Sequence, residues 1–245
     1  MFINEHFYCH KELKKMIFNE RRQKIREILK EKGRISVKRL AKEFYVSEMT
    51  IRRDLKLMEE GGYLQRYNGG AVCCEEYNPT PIEIRKLLHT GEKIYLSEKA
   101  KKFLSDNMTV YIDSSSNCLY IIDRLADYKN IKIVTNSVLA AMRAAENHIP
   151  CTLAGGEYYP ADMCAVGGAA VEFLRLINTD IGFFSCSSIS KDGIISDRDE
   201  RQTSVRRAAL LNCGKKIFLF DREKQTEKSL YTLCTAEEAD EIILL

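Results

Sequence analysis

Residues 34–72 read RISVKRLAKEFYVSEMTIRRDLKLMEEGGYLQRYNGGAV. Val37, Leu40, Ala41 and Phe44 recur at the spacing of one helical face, and Ile51, Leu55 and Met58 do so again. Ser36 and Ser47 stand where each helix wants an N-cap hydroxyl. Glu48 follows in the first turn, where the helix dipole favours an acid. Upstream, residues 20–32 put Ile25, Ile28 and Leu29 on one face, and Gly33 ends that helix. Downstream of Gly61-Gly62, residues 63–66 and 71–72 can pair across Asn68-Gly69, a strong tight-turn dipeptide. Three helices and then a hairpin are the layout of a winged helix-turn-helix.

In such a module the N-terminal half of the last helix enters the major groove of duplex DNA. Its solvent side here would present Glu48, Thr50, Arg52, Arg53 and Lys56. Arginine can grip guanine with two hydrogen bonds, and threonine can touch a thymine methyl. Lys56 is better placed for a phosphate, which positions without reading sequence. The hairpin would lay Arg66 along a phosphate ridge or into the minor groove. Ser36, Ser47, Thr50, Arg52, Arg53, Lys56, Arg66, Asn68 and Gly69 are therefore the candidate DNA-contacting residues. An isolated Arg-Arg pair usually marks no more than a solvated helix face. The capping serine before it and the hairpin after it favour DNA contact here.

Charge supports that reading. Residues 20–72 carry 14 Lys/Arg against 8 Asp/Glu, whereas residues 73–245 carry 21 against 25. A basic front on an acidic body suits a nucleic-acid module joined to something else. The 245 residues accommodate two domains. Nine cysteines at scattered positions form no CxxC and fit neither a zinc site nor a secreted disulfide framework. They point to a reducing compartment, the cytosol. No apolar run approaches the roughly 18 residues needed to span a membrane. Residues 1–19 read as an extension without stable structure, with a second Met at 16.

The segment VSEMTIRRDL followed by EEGGYLQRYNGGA resembles the DeoR-type bacterial regulators. Their signature is a valine-serine, a threonine-isoleucine-arginine-arginine-aspartate-leucine run and an arginine-x-histidine-glycine-glycine-alanine wing. Asn68 stands where that wing has histidine. The resemblance implies that the remainder is a sugar-phosphate sensor, with a fold like that of ribose-phosphate isomerases and glucosamine-phosphate deaminases.

The remainder supports an α/β fold on its own terms. Residues 73–91 read as a linker containing a short helix. Over 92–245 helical and strand patterns alternate: helices over 92–103, 117–126, 138–145, 166–177 and 200–212, strands over 109–112, 131–134, 181–184, 216–220 and 241–245, and an apolar stretch at 151–153. Alternation of this kind predicts a mainly parallel sheet covered by helices. Ligands collect at the carboxyl ends of such strands. Those ends give Asp113, Ser114, Ser115, Ser116 and Asn117, then Thr135, Asn136 and Ser137, then Gly155 and Gly156, and finally Asp221 with Lys224. Hydroxyls and backbone N–H groups at a helix start suit a phosphate. Each of these is, taken singly, equally an ordinary cap or turn.

The family resemblance maps a phosphate loop onto residues 113–117, with Ser115 in place of a glycine and Asn117 in place of a threonine. It also maps an Asp-x-x-Lys element onto Asp221 and Lys224, and implies an effector-binding cation at Arg206, where the family has lysine. The implied partners are a double-stranded operator and a phosphorylated sugar, read by a homodimer or higher oligomer, with no cofactor and no metal. A sugar-phosphate isomerase or deaminase is the competing expectation. Its base would come from Asp197, Asp199 or Glu200, which a helix start explains equally well.

Overall fold

The computed structural model describes residues 18–60, 64–67, 69–73 and 81–245. The expectations placed on residues 1–17, on Gly61-Gly62-Tyr63, on Asn68 and on residues 74–80 lie outside the described residues. The chain divides into two compact units, Met1–Leu88 and His89–Leu245.

In the first unit, α1 (Phe18–Lys32) ends at Gly33, which takes a φ of +69° and donates its N–H back to the Leu29 carbonyl. A short strand that the periodicity did not announce follows, β1 (Arg34–Ser36). It pairs antiparallel with β3 (Gly70–Cys73), which in turn pairs with β2 (Leu64–Tyr67). Gly69, at φ +101°, closes the hairpin in a conformation that side chains rarely adopt. Between β1 and β2 lie α2 (Val37–Glu43) and α3 (Glu48–Glu60). Ile25, Leu29, Leu40, Phe44, Ile51, Leu55, Met58 and Leu64 form the core, so both predicted stripes face inward. A buried pair also joins the elements: Arg21 donates to Asp54 at 2.6 Å, fastening α1 to α3.

The second unit is built on a six-stranded parallel sheet. It contains β4 (Thr109–Ile112), β5 (Lys132–Thr135), β6 (Cys151–Leu153), β9 (Thr179–Phe184), β12 (Cys213–Phe220) and β14 (Glu241–Leu244). The strands lie in the order β14-β12-β9-β4-β5-β6. Helices α6 (Ile121–Leu125), α7 (Val138–Glu146), α8 (Gly168–Arg175) and α9 (Glu200–Leu211) lie between them in the chain, and α5 (Thr90–Ala100) precedes β4, after the short α4 (Ile82–Arg85) of the first unit. From β4 the strands β5 and β6 are added outward on one side, and β9, β12 and β14 on the other. The order therefore reverses between β4 and β9, and a crevice is expected at the carboxyl ends there. Tyr111, Phe184, Phe218 and Phe220 run across β4, β9 and β12 with ring centroids 5.2, 5.4 and 6.1 Å apart. Cys118, Cys164, Cys186, Cys213 and Cys234 are buried free thiols, packed as small apolar groups.

Three sequence expectations are corrected. Residues 117–126 do not form one helix: Cys118–Tyr120 is a 3-10 turn that leads into α6. The helix expected over 166–177 is α8 alone. Val166 belongs to β8 (Cys164–Val166), and Gly167 at φ +85° breaks the chain direction first. Beside the main sheet stand two pairings that the alternation hid. One is the hairpin of β7 (Glu157–Tyr159) with β8. The other is an antiparallel sheet of β10 (Ser188–Ile189), β11 (Ile194–Asp197) and β13 (Tyr231–Thr235).

Candidate functional site

The first candidate site is one face of α3. Ile51, Asp54, Leu55 and Met58 are turned into the core, which leaves Arg52, Arg53 and Lys56 exposed. Arg52 reaches Glu48 one turn earlier at 3.4 Å, an open pair in water that holds the side chain weakly. Ser47 Oγ accepts the Thr50 N–H at 3.1 Å and lies 2.9 Å from Thr50 Oγ1. Ser36 Oγ accepts the Arg39 N–H at 3.3 Å. Both serines are thus engaged as helix caps, which is the local reason α2 and α3 begin where they do.

The Arg66 guanidinium is turned back onto α3. Nε donates to Glu59 Oε2 at 2.6 Å, and the Arg66 backbone N–H donates to Glu59 Oε1 at 2.8 Å. Those two donors, the backbone one first, hold the Glu59 carboxyl below its ordinary range. A cavity of about 280 Å³ lies between α3 and the hairpin, lined by Arg52, Leu55, Glu59, Arg66 and Tyr67 among others.

The second candidate site is the group of polar residues at the ends of β4, β9 and β12. Asp113, Ser114, Ser115, Ser116 and Asn117 are all buried, and most of their polar atoms are used within the protein. Asp113 Oδ1 accepts the Ser115 N–H at 2.8 Å, and its Oδ2 accepts the Ser185 N–H at 2.9 Å and Arg206 Nε at 3.0 Å. Arg206 then reaches Asp197 Oδ2 through Nη1 at 2.6 Å. Burial disfavours the charged form of Arg206, but Asp197 and then Asp113 outweigh it and hold the guanidinium's pKa well above its ordinary value. Asp197 also accepts from Ser187 Oγ at 2.5 Å. Ser114 Oγ donates to Gln202, whose amide donates to the buried Asp162 at 2.8 Å.

Lys224 and Asn117 meet at Ser185 Oγ, donating to it at 2.8 and 3.4 Å. The Asn117 amide nitrogen also donates to the Leu219 carbonyl at 3.2 Å. Asn117 Oδ1 and Asp221 Oδ1 are buried with no hydrogen-bond partner among the described residues. Residues 113–117, Arg206, Asp221 and Lys224 therefore come together in one cluster.

The other predicted strand ends have structural work. Thr135 Oγ1 donates to the Ile112 carbonyl at 2.6 Å and accepts the Ser137 N–H at 3.0 Å. The Asn136 amide accepts from Tyr111 and donates to Ala165, tying β4 and β5 to β8. Ser137 caps α7. Gly156 is needed for its own backbone, since φ is +152° and a Cβ would press on the Val166 carbonyl. Around Gly155 a Cβ would meet open space.

Two of the three acids considered as a base are also engaged. Asp197 is paired with Arg206, and Asp199 caps α9 by accepting the Arg201 and Gln202 N–H groups. Asp54, Glu59, Asp162 and Gln202 went unread in the sequence. Only the i, i+3, i+4 relation of Gln202, Val205 and Arg206 signals an inward face on α9. No helix among the described residues is long and apolar enough to cross a membrane.

Comparison with known proteins accounts for both units. Residues 21–77 match the DeoR-like helix-turn-helix domain, and residues 88–244 match the DeoR C terminal sensor domain. A helix-turn-helix-type transcriptional regulator of Haemophilus influenzae is 30% identical, over 94% of this chain and 90% of its own length. The glycerol-3-phosphate regulon repressor of Escherichia coli is 27% identical, over 91% and 89%. The lactose phosphotransferase system repressor of Lactococcus lactis is 31% identical, over 83% and 82%. With a matching DNA-binding head and a matching sensor body, the chain belongs to the DeoR family of transcriptional regulators.

Proposed function

We propose that this chain is a repressor of genes for carbohydrate use, that it reads a duplex operator with α3, and that a phosphorylated sugar at the strand-end cluster changes its grip. One observation carries the first half. Arg52, Arg53 and Lys56 occupy the exposed side of a helix whose opposite side is buried in the core. Arg52 and Arg53 read base edges, Thr50 touches the groove from the first turn, and Lys56 takes a phosphate. A dimer or higher assembly places two such helices on a repeated or palindromic site.

The second half draws on the cluster of Asp113, Asn117, Arg206, Asp221 and Lys224 and on the relatives, which include a glycerol-3-phosphate regulon repressor. The ligand moves operator affinity only by the difference between its affinities for two arrangements of the protein. Asp197 and Asp199 are tied to Arg206 and to the start of α9, which favours binding of the ligand over its turnover.

Two measurements on the full chain test this. Selection from a random duplex library should return a sequence that binds far more tightly than the unselected pool. A thermal-shift series with glycerol 3-phosphate, ribose 5-phosphate and glucosamine 6-phosphate should find one that adds roughly 2.7 kcal/mol at 100 times its dissociation constant. Failure to select any duplex removes the DNA reading, and silence from all three sugar phosphates removes the effector reading. Conversion of ribose 5-phosphate by the purified chain would make it an enzyme.

A further inference from the structure

The contact between Glu59 and Arg66 bears on how the hairpin is used. In the three-stranded sheet the order is β1-β3-β2, so β2 is an edge strand. An edge strand has backbone N–H groups with no neighbouring strand to receive them. The Arg66 N–H is such a group, and Glu59 Oε1 receives it at 2.8 Å. The other carboxylate oxygen takes Arg66 Nε at 2.6 Å. One acid near the end of α3 therefore clamps the backbone and the side chain of one hairpin residue together. A half-exposed ion pair alone would hold little. A carboxylate that also caps a backbone donor fixes the direction of the strand.

The opposite side of the hairpin is fixed as well. The Tyr67 hydroxyl lies 3.5 Å from the Ile35 carbonyl of β1. A Cβ on Gly70 would collide with that carbonyl and with the Tyr67 ring. The hairpin is thus seated against β1 on one side and against α3 on the other.

We infer that Arg66 is not a phosphate ligand but half of a latch, with Glu59, that sets the angle of the hairpin on α3 and so the fit of both to the duplex. The two are positioning residues. This inference rests on the reading that α3 and the hairpin together meet DNA. Its consequence runs against simple electrostatics. Glu59 is an acid near a polyanion, so a bystander Glu59 would oppose binding and its removal would tighten it. A latch requires that its removal weaken binding.

The test uses the full chain and a duplex recovered by selection with the wild-type protein, with affinity followed by fluorescence anisotropy from low to high salt. Glu59→Ala and Arg66→Ala should each weaken binding about tenfold, and the double variant should be no weaker than either, as for two residues of one coupled unit. The slope of log affinity against log salt should be the same in Arg66→Ala as in wild type. Loss of a phosphate contact would lower that slope by about 0.9. Arg66→Lys keeps the charge but not the Nε geometry, so a latch predicts the Arg66→Ala behaviour and a phosphate contact predicts retained binding. Glu59→Gln keeps an acceptor for the Arg66 N–H and should recover part of the loss.

Glu59→Ala binding as tightly as wild type or tighter overturns the inference, as does a flattened salt slope in Arg66→Ala. Were the wild-type chain to select no duplex at all, the DNA reading would fall first and the latch with it.

Discussion

Three helices in this chain carry an Arg-Arg pair, and the pairs of α3 and α9 have opposite fates. In α3, Arg52 and Arg53 are both exposed. In α9, Arg207 is exposed and donates to the Thr232 carbonyl, whereas Arg206 is 5% exposed and bound to two buried carboxylates. The dipeptide itself decides nothing. What decides is which positions face the core. In α3 the stripe of Ile51, Leu55 and Met58 is apolar and excludes both arginines. In α9 the inward positions are Gln202, Val205, Arg206 and Ala209, so a charge sits on the buried stripe and must be paired there.

That contrast makes Arg206→Ala the most damaging change. It leaves Asp113 and Asp197 buried without their cation, which should destabilise the second unit by roughly 3–5 kcal/mol. Its neighbour offers the control, since Arg207→Ala should stay within about 0.5 kcal/mol. Urea unfolding of both variants reads the difference. Equal midpoints would mean that the buried pairing carries no weight and that the two helices do not differ as described. Arg206→Lys should fall between, because one ammonium cannot reproduce a guanidinium fork that serves two carboxylates.

The α3 pair should show the reverse pattern. Arg52→Ala should cost roughly 1–3 kcal/mol of operator affinity and relax base preference at one position. Its unfolding midpoint should stay where it was, because the Glu48 pair that it loses is open to water. A gel-shift titration and a melt on the same sample separate the two effects. Unchanged operator affinity would take Arg52 out of the reading set. A lowered melting point would mean that its role is structural, like that of Arg206.

The same contrast explains how much was legible beforehand. Apolar periodicity located α1 to α3 and the main parallel strands, because those elements bury apolar stripes, and the Asn68-Gly69 dipeptide located the hairpin. It failed where burial is polar or where elements are too short. Asp54 reads as one more surface acid, yet it is 1% exposed and holds Arg21. The strand Ser188–Ile189 has two residues, fewer than any period can reveal, and β11 and β13 pair across a long stretch of sequence. Gly167 looks like part of a helix start until its positive φ separates β8 from α8. At the strand ends the polar residues were easy to list. Which of them bond each other was not, because the partners of Asp113 lie 72 and 93 residues away.

Ser47 gives the smallest and most discriminating case, because two readings of it survive until tested. The sequence placed it among the DNA-contacting residues, and the fold uses its hydroxyl to cap α3 and touch Thr50. As a cap, Ser47→Ala should cost about 1 kcal/mol of stability. Ser47→Asp keeps a capping acceptor and adds an anion at the positive end of the helix, so the melting point should hold or rise. If that end also faces the duplex, the same aspartate should weaken operator binding. Its effect should then diminish as salt screens the charge. Stability kept with affinity lost makes Ser47 a cap that fronts DNA. Stability and affinity both kept would move the duplex away from the first turn of α3 and toward Arg52, Arg53 and Lys56.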